Sequence, residues 1–230
     1  MSMFKIVTGL GLLMSLSSLG SAQSLIVNGT FETPTATPTL GTVVTPPGWT
    51  QGGTGRVDVQ TYSAYGGTAP AGTGTRFAAF NDFDNAATSS ISQVVNLNAG
   101  TEYDLSFLFG NFNGTNNSVT QTLQYSIISA TSVVALSGTI NATSSTNTNF
   151  ATLLQQFSLL FTAATTEAYT VTFTSTTSAT TSSDGILDNV FLTRSVPELN
   201  SRVALPLALM TVLGCGLMSR RRRTASLPTA

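Results

Sequence analysis

The 230-residue chain contains no histidine and only one cysteine, Cys215. Catalytic centres of the Ser-His-Asp or Cys-His type and histidine-ligated zinc sites are therefore excluded. Because Cys215 lies close to the C-terminus, the long region before it contains no cysteine and cannot form a disulfide. The stability of that region must come from a hydrophobic core, with a bound metal as a second source.

Charged residues are also scarce, at 8% of the chain. Residues 23–195 carry nine acidic and three basic side chains, a net charge of −6, because most basic residues lie near the C-terminus. An acidic region with no basic stripe argues against nucleic acid and anionic lipid as partners. No glycine-rich motif leads from a strand into a helix, so nucleotide binding has no support.

The N-terminal residues have the pattern of a secretory signal peptide. Lys5 is the only early charge, residues 6–19 are apolar, and Gly20 and Ala22 are small residues at the spacing that signal peptidase requires. We predict a signal peptide over residues 1–22, cleaved after Ala22. The alternative, a permanent N-terminal anchor, is disfavoured by the short apolar run.

The C-terminal residues have the pattern of a membrane anchor. Residues 203–218 are uncharged and mostly apolar, and four arginines follow at 220–223. As a helix this run would be about 24 Å long, slightly short of a hydrocarbon core of about 30 Å. The positive-inside rule keeps such arginines in the cytoplasm. The alternative is a buried C-terminal helix followed by a solvated basic tail.

Between the two termini the sequence alternates with a period of two. Tyr103, Leu105, Phe107 and Phe109 mark one such segment, and clusters of glycine and asparagine separate it from others. No segment sustains a helical period, and we interpret the apolar run 153–160 as a strand. Eight to ten short strands without helices predict an all-β, two-sheet β-sandwich of the jelly-roll type over residues 23–195.

The C-terminal pattern resembles a known sorting signal. Val196-Pro197-Glu198, the apolar run and the arginines Arg220, Arg221, Arg222 and Arg223 are similar to the PEP-CTERM signal of bacteria, with Leu199 in place of the second proline. The resemblance covers residues 196–223 and leaves 224–230 as a short cytoplasmic tail. It implies processing by an exosortase-type enzyme in an exopolysaccharide or biofilm setting.

Two short motifs carry a second resemblance. Residues 25–32 read Leu-Ile-Val-Asn-Gly-Thr-Phe-Glu, and residues 185–192 read Gly-Ile-Leu-Asp-Asn-Val-Phe-Leu. With Pro47-Gly48-Trp49 they resemble the galactose-binding-like jelly rolls, which include many carbohydrate-binding modules. They are also similar to a plant cell-wall domain family of unknown function. The resemblance implies a carbohydrate-binding-module-like domain.

The same resemblance implies a structural Ca²⁺ site. In such jelly rolls the first and last strands share a calcium ion, which places Glu32 and Asp188 among the ligands, with backbone carbonyls supplying the rest. Calcium takes six to eight hard oxygen ligands. The alternative is that both are ordinary acidic residues. The loop 81–85, Asn-Asp-Phe-Asp-Asn, is a second oxygen-rich segment that is more typical of a solvated turn.

Sugar binding requires an aromatic face surrounded by polar groups. Trp49, Tyr62 and Tyr65 are the aromatic candidates outside clean strand alternation, and Arg56 is a nearby polar candidate. We expect Tyr62 and Tyr65, which lie in a glycine-rich loop, to be more exposed than Trp49. The alternative for Trp49 is a core position beneath the first loop.

We predict that the chain is not an enzyme. We expect it to be an exported cell-surface or matrix protein that binds or organises extracellular polysaccharide. A non-binding structural or adhesive surface protein is the alternative. A glycoside hydrolase is the third class, in which Asp58 would pair with Asp82 or Asp84.

Overall fold

Alternating burial along the chain produces a series of antiparallel strands. The computed structural model describes residues 23–33, 44–80, 88–113, 120–143, 149–177 and 183–195. Within these residues there are ten strands and one short helix, α1 (Phe150–Leu153). The strands are β1 (Thr50–Gly53), β2 (Val57–Thr61), β3 (Arg76–Phe80), β4 (Ser89–Leu97), β5 (Glu102–Asn113), β6 (Thr120–Ser129), β7 (Val134–Thr143), β8 (Gln155–Thr162), β9 (Glu167–Ser175) and β10 (Ser183–Arg194).

The strands form two five-stranded sheets. Sheet 1 has the order β1-β4-β9-β6-β7, and sheet 2 has the order β2-β3-β10-β5-β8. All neighbouring strands are antiparallel. The predicted all-β, two-sheet sandwich is confirmed. The expectation of no helix is wrong, because α1 takes Leu153 from the apolar run that we interpreted as a strand, whereas residues 155–160 do lie in β8.

The main core lies between the sheets and is rich in aromatic rings. In β9 the alternating residues Tyr169, Val171 and Phe173 are fully buried. Phe107 of β5 meets Phe173 edge to face, with ring centroids 5.1 Å apart. Aromatic pairs in this geometry stabilise a core beyond the area that they bury, so the inward positions of the two sheets hold the sandwich together.

A second apolar cluster lies on the outer face of sheet 2. In β3, Phe77 and Ala79 alternate with Ala78 and Phe80, which belong to the main core, so they point the opposite way. We call the cluster around Phe77 the outer aromatic cluster; it contains Tyr62, Tyr65, Phe77, Ala79, Phe150, Leu154 and Ile186. The segment after β2 and helix α1 supply the residues that bury this face.

The first described segment, residues 23–33, attaches to the last strand. The N–H of Leu25 donates to the carbonyl of Leu192 (2.8 Å), and the N–H of Val190 donates to the carbonyl of Gly29 (2.9 Å). A Cβ at Gly29 would lie 1.9 Å from the Val190 oxygen. Glycine is therefore required where the two ends of the domain approach each other.

Several predicted features lie outside the described residues: the signal peptide, the loop 81–85, Val196, Pro197, Glu198 and the arginines 220–223. Within the part of the chain that the structure describes, no helix is long and apolar enough to cross a membrane.

Candidate functional site

A β-bulge in β10 creates the centre of the candidate site. Asp188 is opposite Leu108 of β5, whereas Phe191 is opposite Ser106, so β10 has one extra residue at this point. Asn189 takes the left-handed conformation (φ 49°) that such a bulge needs. As a result, Asp188 and Phe191 both face outward on sheet 2, and Asn189 lies between them.

Asp188 is completely buried on this outer face. Its Oδ2 accepts a hydrogen bond from the hydroxyl of Tyr62 (2.7 Å), and its Oδ1 accepts one from the backbone N–H of Asn189 (2.6 Å). Burial raises the pKa of Asp188 to about 8, although these two hydrogen bonds lower it, and the nearby charge of Glu32 raises it further. Burial and then the charge of Asp188 also raise the pKa of Tyr62.

Glu32 is held by the segment that leads into β3. Its Oε1 accepts hydrogen bonds from the backbone N–H groups of Thr75 (2.7 Å) and Arg76 (2.9 Å), and its Oε2 accepts one from the Thr75 hydroxyl (3.1 Å). A Cβ at Gly74 would lie 2.3 Å from Oε1 of Glu32. Because Gly74 also has a φ of +82°, a side chain here would be strained and would displace the Glu32 carboxylate.

The two candidate metal ligands interact electrostatically, because the charge of Glu32 raises the pKa of Asp188. Among the described residues no group of three or more Asp, Glu, His or Cys side chains could hold a metal. Any further ligands from the described part of the chain would have to be neutral oxygens. Oδ1 of Asn189 is one such oxygen, since it is buried and has no hydrogen-bond partner.

A cleft of about 300 Å³ opens beside Asn189 and Phe191 at the bulge of β10. We call it the outer cleft. Its base is Ser106, Leu108 and the half-buried ring of Phe191, and its walls come from the segment after β2 and from α1 and β8. The lining side chains are all uncharged; the walls include Pro70, Ala71, Thr73, Ala151, Leu154, Gln156 and Asn189.

The outer cleft combines apolar surface with hydrogen-bonding groups. Phe191 and Leu108 offer apolar contact, and Gln156 and Ser106 offer an amide and a hydroxyl. Ligand pockets commonly combine apolar side chains with a few polar groups in this way. A sugar unit, with one apolar face and a rim of hydroxyl groups, has the matching chemistry.

Trp49, one of the predicted sugar-binding residues, lies in the core. Its side chain is 6% exposed, and its ring stacks on Phe31 with centroids 5.8 Å apart. Its Nε1 donates to the carbonyl of Asn28 (3.2 Å). The alternative interpretation of Trp49 as a core residue is confirmed.

The expectation that Tyr62 and Tyr65 are exposed is wrong, because their side chains are 1% and 7% exposed. Both rings pack against Phe77, at centroid distances of 4.8 and 5.2 Å. Their hydroxyls donate to Asp188 (2.7 Å) and Asp184 (2.8 Å). Each tyrosine thus uses its ring in the outer aromatic cluster and its hydroxyl on a carboxyl group, which leaves no ring face for a sugar.

Arg56, the polar candidate, pairs with a buried acid. Its Nε lies 2.8 Å from Oδ2 of Asp58, whose side chain is fully buried. The structure does not bring Arg56 and the three aromatic candidates together around an exposed ring. Asp82 and Asp84, the proposed catalytic partners of Asp58, lie outside the described residues, so that pairing stays a prediction.

The residues of the outer cleft were not among the sequence-based candidates. One sequence signal could have identified Phe191, namely the uneven spacing of the apolar residues Leu187, Val190 and Leu192. Strict alternation from Leu187 does not reach Val190, and the structure places all three residues in the main core. An extra residue between them implies a bulge, after which Phe191 must point outward.

No family model matches the chain, and no curated protein is similar to it in sequence. Solved structures do match its fold. Arabinose-bound MgGH51 α-L-arabinofuranosidase matches with a TM-score of 0.50 and 11% identity, over 75% of this chain and 26% of that chain. TmCBM61 in complex with β-1,4-galactotriose matches with a TM-score of 0.49 and 14% identity, over 76% and 100%. A Family 16 Carbohydrate Binding Module matches at 0.42 and 18%, over 73% and 98%.

The structural neighbours therefore include carbohydrate-binding modules with a jelly-roll fold, and at these identities the likeness concerns the fold alone. This chain spans about a quarter of the arabinofuranosidase, at 26%. Because the neighbours include parts of glycoside hydrolases as well as binding modules, the expectation that the chain is not an enzyme stays a prediction.

Proposed function

We propose that the β-sandwich binds a neutral extracellular polysaccharide in the outer cleft and does so without catalysis. The observation that carries this proposal is the cleft itself, in which the half-buried ring of Phe191 lies among uncharged hydrogen-bonding groups. The absence of charge in the lining favours a neutral sugar, because a charged one would lose hydration without gaining an ion pair. At about 300 Å³ the cleft suits a short part of a polysaccharide chain.

The carbohydrate-binding neighbours are consistent with this function and guide the choice of polysaccharides to test. The full chain, purified in detergent, would be run through native gels that contain soluble β-1,4-galactan, arabinan or xylan. We expect at least one of them to retard the protein. Lack of retardation by all three would contradict the proposal and favour the structural or adhesive alternative.

Phe191→Ala tests the position of the binding site. Loss of the ring should weaken retention about tenfold, the equivalent of about 1.4 kcal/mol of apolar contact. Leu160→Ala is the matched control, because Leu160 is an exposed apolar residue of β8 that does not line the cleft. Equal retention of the two variants would show that sugar binds elsewhere.

We further propose that Glu32 and Asp188 hold a calcium ion. Their surroundings support a cation, because a buried carboxyl group whose pKa is raised to about 8 lacks compensating positive charge. Two carboxylates with neutral oxygens nearby match the ligands that Ca²⁺ prefers. The ion would supply positive charge between the first segment and β10 and would hold them together.

For cellular location, we propose export by the signal peptide, anchoring through residues 196–223, and processing by an exosortase-type enzyme near Val196-Pro197-Glu198. The sequence patterns described above support this route. Mass spectrometry of the mature protein tests it: cleavage after Ala22 and a new C-terminus near residue 198 are expected. A mature protein that keeps the four arginines would make the anchor permanent.

A further inference from the structure

We propose that two copies of this chain pair through β7, edge to edge and antiparallel, so that sheet 1 continues from one copy into the other. The observation behind this inference is a contrast between the two sides of the sandwich. Strands β1 and β2 end the two sheets on one side, and β7 and β8 end them on the other. Among the described residues, the first two edges are short and partly capped, whereas the second two are long and open.

The side formed by β1 and β2 is protected against the addition of a further strand. These strands have only four and five residues. The N–H of Val59 donates to the carbonyl of Val44 (2.8 Å), and Nε2 of Gln51 donates to the carbonyl of Val57 (2.7 Å). Short length and bonded backbone groups both discourage pairing at a sheet edge.

Strand β7 lacks these protections in the part of the chain that the structure describes. Its ten residues, Val134–Thr143, include no charged residue and no proline, two features that keep natural edge strands from pairing. No described strand lies beyond it in sheet 1. A strand of this length, about 33 Å, offers a long row of backbone groups to another strand.

The hydrogen-bond pattern identifies the backbone groups of β7 that point away from the sheet. The N–H of Thr176 donates to the carbonyl of Thr122 (3.1 Å), so the even-numbered residues of β6 bond towards β9. Because bonding direction alternates along an antiparallel strand, the odd-numbered residues of β6 bond towards β7, where their partners are even-numbered. Ser137, Thr139 and Asn141 therefore direct their N–H and C=O groups outward.

A second copy of the same strand is the partner that fits this edge. Residues directly opposite each other in an antiparallel pair have their side chains on the same face. Ser137 and Thr139 would therefore continue the outer face of sheet 1 into the second copy. On the inner face, the half-buried Leu136 and Ile140 would meet the same residues of the second copy and lose contact with water.

Charge and area favour the same partner. Residues 23–195 carry a net charge of −6, so two copies repel each other unless they meet at a surface without carboxylates. Strand β7 provides such a surface. With each sheet layer about 10 Å thick and β7 about 33 Å long, two copies that met over this side would bury about 1,300 Å² in total, above the about 1,000 Å² expected of a specific interface.

Strand β8 is less suited to pairing with its own copy, although it is also uncharged. Asp104 lies beside it in β5, and the carboxylate accepts hydrogen bonds from the hydroxyl of Ser158 (2.9 Å) and the N–H of Leu159 (3.1 Å). Pairing of β8 with β8 would bring two such carboxylates onto one face, where they repel each other.

Hydrogen exchange with mass spectrometry tests the pairing on the full chain in detergent. When the protein concentration is raised about a hundredfold, exchange at Ser137, Thr139 and Asn141 should slow at least tenfold, because their N–H groups become bonded in the dimer. Exchange at β1 should not change. Fast exchange of the three β7 groups at both concentrations would overturn the inference.

Proline variants locate the interface. Thr139→Pro removes an N–H that points away from the sheet, where an edge strand tolerates proline, and should make the protein monomeric by light scattering. Thr139→Ala keeps this N–H and should remain dimeric, as should Leu160→Pro, which places proline in β8. A dimer that persists in Thr139→Pro, such as one held by residues 203–218, would contradict pairing through β7. If Thr139→Pro unfolds, exchange in the natural protein decides.

The dimer would also change how polysaccharide is bound, a consequence that rests on the proposed function. Since the outer faces of sheet 1 lie on one side of the dimer, both outer clefts open on the other side and can bind one long polysaccharide chain. Retention on β-1,4-galactan, arabinan or xylan should therefore be at least fivefold weaker in Thr139→Pro than in Thr139→Ala. Equal retention would overturn this bivalent binding. A dimer that binds none of the three would contradict the proposed function and still support pairing through β7.

Discussion

The outer faces of the two sheets differ, although the same alternating pattern produces both. On sheet 1 the strand register places small hydroxyl side chains side by side in one row, formed by Thr50, Ser92, Thr172, Ser126 and Ser137. On sheet 2 the outer face is covered by the outer aromatic cluster and contains the buried Asp188. Covering one face thus gave the sandwich a second core.

This difference has a chemical consequence. Depressions of similar size, about 300 Å³, occur on both faces, but the one on sheet 1 is lined mainly by polar side chains of the open surface, such as Gln124 and Thr174. Among the described residues, only the covered face shields carboxyl groups from water, and this shielding raises the pKa of Asp188. The buried outer layer therefore allows sheet 2 to hold a buried carboxyl group, Asp188, close to the outer cleft in sequence.

Removal of a ring from the outer aromatic cluster should have the largest effect. Phe77→Ala should reduce the free energy of unfolding by about 3–5 kcal/mol, as for other buried aromatic residues. Its control on the open face is Thr172→Ala, which should change stability by no more than about 0.5 kcal/mol. Urea unfolding measures both, and similar values for the two variants would remove the distinction between the faces.

The next effect concerns pH in the absence of metal. Because the folded pKa of Asp188 (about 8) lies above its unfolded value, about 3.9, the folded state binds the extra proton. This contribution to stability is complete below about pH 4 and is lost as the pH rises towards 8. In EGTA, the melting temperature should fall over this interval in the natural protein, and much less in Asp188→Asn.

The next prediction concerns the change in melting temperature when Ca²⁺ is added. If the ion binds the carboxylates, Ca²⁺ should raise the melting temperature most at pH 8, where Asp188 gives up its proton most easily. Glu32→Ala should abolish the increase. A melting curve that is identical in Ca²⁺ and EGTA would contradict the calcium site.

A smaller effect is expected where the backbone encloses Glu32. Gly72 and Gly74 both have positive φ, but a Cβ at Gly72 would meet nothing within 4 Å. Gly72→Ala should therefore cost only the conformational strain, about 1–2 kcal/mol. Gly74→Ala should cost about 1–3 kcal/mol more, because its Cβ would press on Glu32. Equal losses in thermal unfolding would show that Glu32 can move aside freely.

The smallest effect is expected on the open face of sheet 1. Gln124→Ala should leave polysaccharide retention unchanged, since Gln124 belongs to the depression on sheet 1. Affinity electrophoresis beside Phe191→Ala gives the comparison. Loss of retention in Gln124→Ala alone would move the binding site from sheet 2 to sheet 1.

The strands could be predicted because their evidence is local. In the buried parts of β5 and β9 every second residue has a large apolar side chain, and this period of two predicts a β-strand. The motif at residues 28–32 was also informative, although its residues have different tasks. The carbonyl of Asn28 accepts a hydrogen bond from Nε1 of Trp49. Gly29 lacks the Cβ that would clash with Val190 of β10, and the Glu32 carboxylate accepts hydrogen bonds from the segment before β3.

The covering of sheet 2 could not be predicted in the same way. Whether Tyr62 and Tyr65 face water depends on where α1 and the segment after β2 fold back, which is a tertiary property. Helix α1 has four residues, too few for a helical period to be visible. The exposure of the tyrosines was therefore predicted from their neighbours in sequence. In the structure Tyr62 is buried because Phe77 and Phe150, which are distant in sequence, pack against its ring.

The attachment of residues 23–33 to β10 sets the order in which the domain can be completed. Ser24 accepts a hydrogen bond from the N–H of Leu192, 168 positions later in the chain, and the Glu32–Asp188 pair spans almost the same separation. Contacts this distant form late and slowly, because the loop between them must close first. A cation that needs both carboxyl groups would therefore bind after the rest of the sandwich has formed, and it would then stabilise the attachment of residues 23–33 to β10.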